Sequence, residues 1–201
     1  EAQQQGEPTV TTYYKAVRLD GTDFHTGASV STVPTDCTGM EWPCRLLTVE
    51  PVEGYPVTTP DPDTMPHKRA SVAWRVTGEV DAHAALGPQG AQIAALIARA
   101  AAITEDEARR LDAAWEELAA RGAAWGAAWG AARDAAWGAA PRRAAQDAAR
   151  RAAWRASWEA ARDAACALVA RDLISTEHYD TLTTPWRTAI GPIHPDDPNL
   201  A

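Results

Sequence analysis

The chain has 201 residues, a net charge of −8, and nine tryptophans against a single phenylalanine. That length suits one or two small domains with a real core. The acid excess excludes a general nucleic-acid binder, which needs a basic surface to neutralise phosphate. Cys37, Cys44 and Cys166 are odd in number with no secretory leader ahead of them, so free thiols in a reducing compartment are expected.

Residues 1–8, EAQQQGEP, are polar and are expected to fray. Residues 9–86 carry the signals of a small β-rich or α+β head. TVTTYYKAVR is β-branched and aromatic, and Asp20-Gly21 offers a tight hairpin turn with TDFHT as the returning arm. CRLLTVE (44–50) and RASVAWRVTGEV (69–80) are two further candidate strands. Between them, prolines at 56, 60, 62 and 66 dictate an irregular surface loop.

At Gly87-Pro88 the composition turns helical, and 87–174 reads as an alanine- and tryptophan-rich helical region. Ile93, Leu96, Ile97 and Ala100 recur at helical spacing, and Thr104 with Glu107 forms a capping box that starts a new helix. Residues 175–201 are polar and proline-punctuated and read as an extended tail that packs back through Trp186 and Ile190. The expected class is therefore α+β. Residues 122–140 come closest to a membrane span, but alanine and glycine contribute little transfer energy. Arg133 and Asp134 would each cost roughly 2.5–3.5 kcal/mol there, so no membrane is expected.

The stretch GAAWGAAWGAARDAAWGAAP sets large indoles on a background of alanine and glycine. At about 100° per residue, Trp115, Trp125, Trp129, Trp137, Trp154 and Trp158 fall within an arc of about 120°. The stripe keeps its phase across Pro141. Two arrangements follow: one kinked helix over 105–174, about 105 Å long, or an antiparallel hairpin whose second arm opens at Pro141. Either way the indoles need a partner surface. Gly122, Gly126 and Gly130 stand four apart beside the same arc, a spacing that lets two helices approach closely. The stripe is expected to join helices, between copies as a homo-oligomer or within the chain, and a core facing the head competes with that reading. Arg133 lies inside the arc, placed for a cation–π contact or for snorkelling outward.

Chemistry is sparse. No Gly-rich phosphate loop, HExxH, CxxC pair or GxSxG occurs. Cys37 and Cys44 with His25 or His67 would make a poor zinc site, and His178, Asp180, His194, Asp196 and Asp197 make a diffuse tail cluster. Neither supports a metal, a cofactor or a catalytic residue. Arg142, Arg143, Arg150, Arg151 and Arg155 point all round a helix, so they read as a solvated face. The order Arg18, Ser29, Ser31, then Glu79 and Asp81 follows that of ADP-ribosyltransferase-like sites, with shorter spacing. It leaves a nucleotide-directed enzyme as the rival reading.

YKAVRLDGTDFHTG, EWPCRLLTVE, HKRASVAWRV and ALGPQGAQIAALIARA, with the Ala/Trp tract ending RDLIS, resemble one group of proteins. These are alanine- and tryptophan-rich proteins of actinobacteriophages and their actinobacterial hosts. The resemblance covers residues 13–190 and rests on WPCR, ALGPQG and the tract together. It implies a phage or prophage origin and a place in the host cytoplasm or the virion. It implies no activity and carries over no catalytic residue. The expectation is a phage-type accessory protein that works by protein–protein contact, its head binding a host or virion partner. A virion structural protein differs from this by context alone.

Overall fold

A computed structural model describes residues 11–24, 29–37, 39–136, 140–153 and 157–193. Five strands form one antiparallel sheet: β1 (Tyr13–Val17), β2 (Ser29–Ser31), β3 (Arg45–Pro51), β4 (Lys68–Ala70) and β5 (Trp74–Val80), in the order β4-β2-β1-β3-β5. Among the described residues six α-helices follow: α1 (Gly90–Ala102), α2 (Glu105–Ala120), α3 (Ala123–Ala135), α4 (Ala140–Ala152), α5 (Trp158–Val169) and α6 (Thr176–Ala189). The α+β reading holds.

The turn at Asp20-Gly21 forms. Gly21 sits at φ +85°, and Asp20 Oδ1 accepts from the Thr22 amide at 2.9 Å. The returning arm differs from expectation: residue 23 makes only an isolated bridge with Val17, and the paired strand is β2. The 69–80 run likewise divides into β4 and β5, which lie at opposite edges of the sheet. In the register Ala16 stands beside Leu46, and both bury against Cys44 and Ala85. Met40 and Trp42 pack against this small cluster and against the helical core as well, so the head is seated on the body.

The ALGPQG segment makes the junction. A 3-10 turn at Ala82–Leu86 ends on Gly87, at φ +94°. A β-carbon on Gly90 would stand 1.9 Å from the carbonyl oxygen of His83, so only glycine fits where the turn meets α1.

α1 buries Ile93, Leu96, Ile97 and Ala100, the face its spacing defines. The capping box at Thr104 is present, with the Glu107 amide donating to Thr104 Oγ1 at 3.3 Å and the Thr104 amide to Glu107 Oε2 at 2.8 Å. Beyond it the structure corrects two expectations. The described residues of 105–174 form neither one kinked rod nor a two-arm hairpin but fall into four helices. Gly122, at φ +54°, breaks α2 from α3, and Pro141 sits in the first turn of α4, where its missing N–H breaks no helical bond. The phase of the stripe survives because α2 and α3 both face α5 and α6.

Residues 175–201 are also not simply a tail, since 176–189 form α6. Ser175 caps it by accepting from the His178 amide at 3.2 Å. Its threonines return hydrogen bonds to carbonyls one turn back, as Thr183 Oγ1 does to Tyr179 at 2.8 Å. Pro185 is accommodated inside the helix, and Trp186 is fully buried.

α5 lies at the centre. It contacts every other helix and buries Ala160, Ala161, Asp163, Ala164, Ala165, Cys166, Ala167 and Leu168. Alanine on all sides lets neighbouring helices approach closely from every direction. One charged residue stands within that dry run.

Candidate functional site

That residue is Asp163, 1% exposed. Trp115, from α2, and Trp125, from α3, each donate their indole Nε1–H to Asp163 Oδ2, both at 3.0 Å. Oδ1 accepts from Arg162, at 3.3 Å from Nε and 3.1 Å from Nη2. Arg162 also pairs with Glu159 at 2.6 Å and lies over the Trp129 ring, 4.7 Å from its centroid. The rings close on one another: Trp115 meets Trp125 edge-on at 6.1 Å, and Trp125 lies parallel to Trp129 at 6.4 Å. The carboxylate receives four hydrogen bonds, which makes its burial affordable.

The tryptophans foreseen as a contact stripe are thus used inside the chain. Trp115, Trp125, Trp129 and Trp158 are half-buried against the helical core. Trp158 donates to the Ala153 carbonyl at 2.9 Å and carries Arg150 over its ring. Trp137 and Trp154 lie outside the described residues. Gly122, Gly126 and Gly130 are not sockets for these indoles, for a β-carbon at any of them would meet nothing within 4 Å. Arg133 is exposed and pairs with Asp134 at 3.2 Å.

Sequence reasoning named the indoles and missed the acid. The available signal was donor arithmetic, since a buried indole N–H wants an acceptor, and in RDAACALVA a single carboxylate opens a run of otherwise apolar residues. The arc itself could not point to Asp163, because the acid sits on a different helix facing it.

Elsewhere the candidate chemistry does not converge. Burial pushes the thiols of Cys37, Cys44 and Cys166 up to about 11, so none is a thiolate near neutral pH. Among the described residues no cluster of three or more His, Cys, Asp or Glu could hold a metal. His25, His194, Asp196 and Asp197 lie outside them. His67 bonds Thr32 Oγ1 at 3.2 Å, and Asp180 pairs with Arg187 at 2.9 Å.

The ADP-ribosyltransferase-like set is scattered. Ser31 pairs with Tyr14 on one face of the sheet, whereas Glu79 stands on the other, held by Arg45 at 2.6 Å. Ser31 Oγ accepts from the Val33 amide at 3.1 Å, and Arg18 binds the Asp23 carbonyl and lies over Phe24. Of the arginine run, Arg150 covers Trp158 and Arg151 reaches the Trp42 carbonyl at 3.3 Å, while Arg155 lies outside the described residues.

Fold and site together define an α+β protein whose antiparallel head is carried on a helical body clasped around one buried carboxylate. No family model matches the chain, and no curated protein and no solved structure matches it. No helix among the described residues is long and apolar enough to cross a membrane.

Proposed function

We propose that this chain works by protein–protein contact, with the helical body as a rigid support and the head as the surface that meets a host or virion protein. The observation behind it is where exposed apolar side chains gather. Val72 is 74% exposed, Val76 58% and Val80 39%, all on or beside β5. β5 is an edge of the sheet, and its far side has no strand partner among the described residues. The opposite edge, β4, is partly shielded by the bridge between Thr58 and Ala70. An open edge flanked by valines suits an extended segment of another protein, which would add as a strand and place alternate side chains against it.

A phage or prophage setting, from the resemblance of the sequence, supplies the class of partner. Association of copies through the helical region would find the outward glycine face of α3 open, whereas Trp115 and Trp125 are bound within the chain.

Affinity purification from infected actinobacterial cells tests the reading. A partner should co-purify with the wild type and with Gly126→Ala, and be lost with Val76→Arg. Recovery indifferent to Val76→Arg would defeat it. Light scattering on the pure chain reports separately on copy number.

A further inference from the structure

We propose that the cleft between head and body binds a small apolar molecule carrying one cationic amino group. The cleft has a volume of about 430 Å³, within the range of small-molecule sites, and such sites favour junctions of this kind. Leu86 from the junction turn, Pro141 from the start of α4 and Val169 from the end of α5 supply an apolar lining. Leu173 stands on its rim, 65% exposed, an apolar side chain left facing water.

Two titratable side chains border the apolar lining: His67, whose ring nitrogen is engaged with Thr32 Oγ1 at 3.2 Å, and Asp36. Asp36, in the 3-10 turn at Pro34–Asp36, is half-buried, and its carboxylate has no hydrogen bond or ion pair among the described residues. Lys68 lines the adjoining small depression that Asp36 also borders, yet no ion pair joins the two. Lys15, on the same depression, is bound to Asp23 at 2.5 Å. A carboxylate partly withdrawn from water and left without a partner favours a cation that arrives with its own apolar body. The net charge of −8 favours the approach of such a molecule and disfavours an anion. An aryl- or alkyl-ammonium compound meets both demands: its hydrocarbon part fills the lining, and its ammonium group meets Asp36.

Three compounds sharing one ring separate the terms: tryptamine, its neutral analogue tryptophol, and the anion indole-3-acetate. Titrated at millimolar concentration into the 15N-labelled full chain, tryptamine should shift the amides of Asp36, Leu86, Gly87 and Leu173. Tryptophol should bind more weakly and indole-3-acetate not at all. Asp36→Asn should weaken tryptamine about tenfold and leave tryptophol unchanged. Leu173→Arg, at an exposed position that tolerates change, should weaken both. No shift at these amides, equal binding of the neutral compound, or indifference to Asp36→Asn would each overturn the proposal. None of these outcomes bears on the β5 edge, so the two proposals fail separately.

Discussion

The indole hydrogens of Trp115 and Trp125, carried by successive helices, converge on the same oxygen of Asp163, each at 3.0 Å. The angle between α2 and α3 is therefore fixed by a polar clasp as well as by apolar packing. Asp163→Ala should remove the acceptor, leave two half-buried N–H groups unpaired and strip Arg162 of one of its two acid partners, at a cost of about 3–5 kcal/mol. Trp115→Phe should cost less, about 1–2 kcal/mol, since it removes one donor and keeps most of the apolar contact. Urea denaturation of both variants and the double mutant should show strong non-additivity. Additive effects would mean that the bond contributes nothing of its own.

Two glycines should respond in opposite directions to the same change. Gly90→Ala places a methyl group 1.9 Å from a backbone oxygen that cannot move aside, so a loss of about 3 kcal/mol or more is expected. Gly126→Ala meets nothing within 4 Å in the interior of α3, and should stabilise by about 0.5–1 kcal/mol. Thermal melts of the two variants check both. A destabilising Gly126→Ala would reveal a neighbour that packs on α3 from outside.

Acid should weaken the start of α2. The Arg99 guanidinium, and then the Thr104 amide, hold Glu107 down to about 2 from an ordinary 4.5. Because the folded value lies below the unfolded one, its stabilising effect is present above pH 4.5 and is lost as pH falls towards 2. Glu107→Gln should lower stability near neutrality and flatten the profile across that window, so that the two curves converge towards pH 2. A mutant profile that still falls in parallel with the wild type would assign the acid sensitivity elsewhere.

Alkali should act through the thiols. All three are raised by burial from 9.0 to about 11. The folded chain therefore holds these protons longer than the unfolded one, and stability falls as pH rises through 9 towards 11. A thiol reagent at pH 8 should label the buried Cys44 and Cys166 quickly only after unfolding, whereas Cys37 is half-buried. Cys166→Ala should reduce the alkaline slope, and rapid labelling of Cys44 or Cys166 in the folded chain would contradict the burial.

Local signals in the sequence carried some parts of this fold and misplaced others. The capping box at Thr104, the apolar face of α1 and the turn at Gly21 are each set by neighbouring residues, and all were legible. The α2–α3 break was hidden because Gly122 looked like one small residue of a repeating stripe. Only its positive φ makes it a stop. α6 was hidden by Pro185 and by threonines that score as loop, yet whose hydroxyls bond back to their own helix. Asp163 was hidden for another reason: the indoles that bind it lie 38 and 48 positions away in the chain.

The placement of α5 has a consequence for synthesis. The helix against which all the others rest lies late in the sequence, so it leaves the ribosome after α1 to α4 have already emerged. Until Trp158–Val169 arrives, α1 and α4 can settle on each other, but the indoles of α2 and α3 have no acid to share. Any product ending before Trp158 would lack both the acid and the final helix, and so would leave α2 and α3 without the surfaces they rest on.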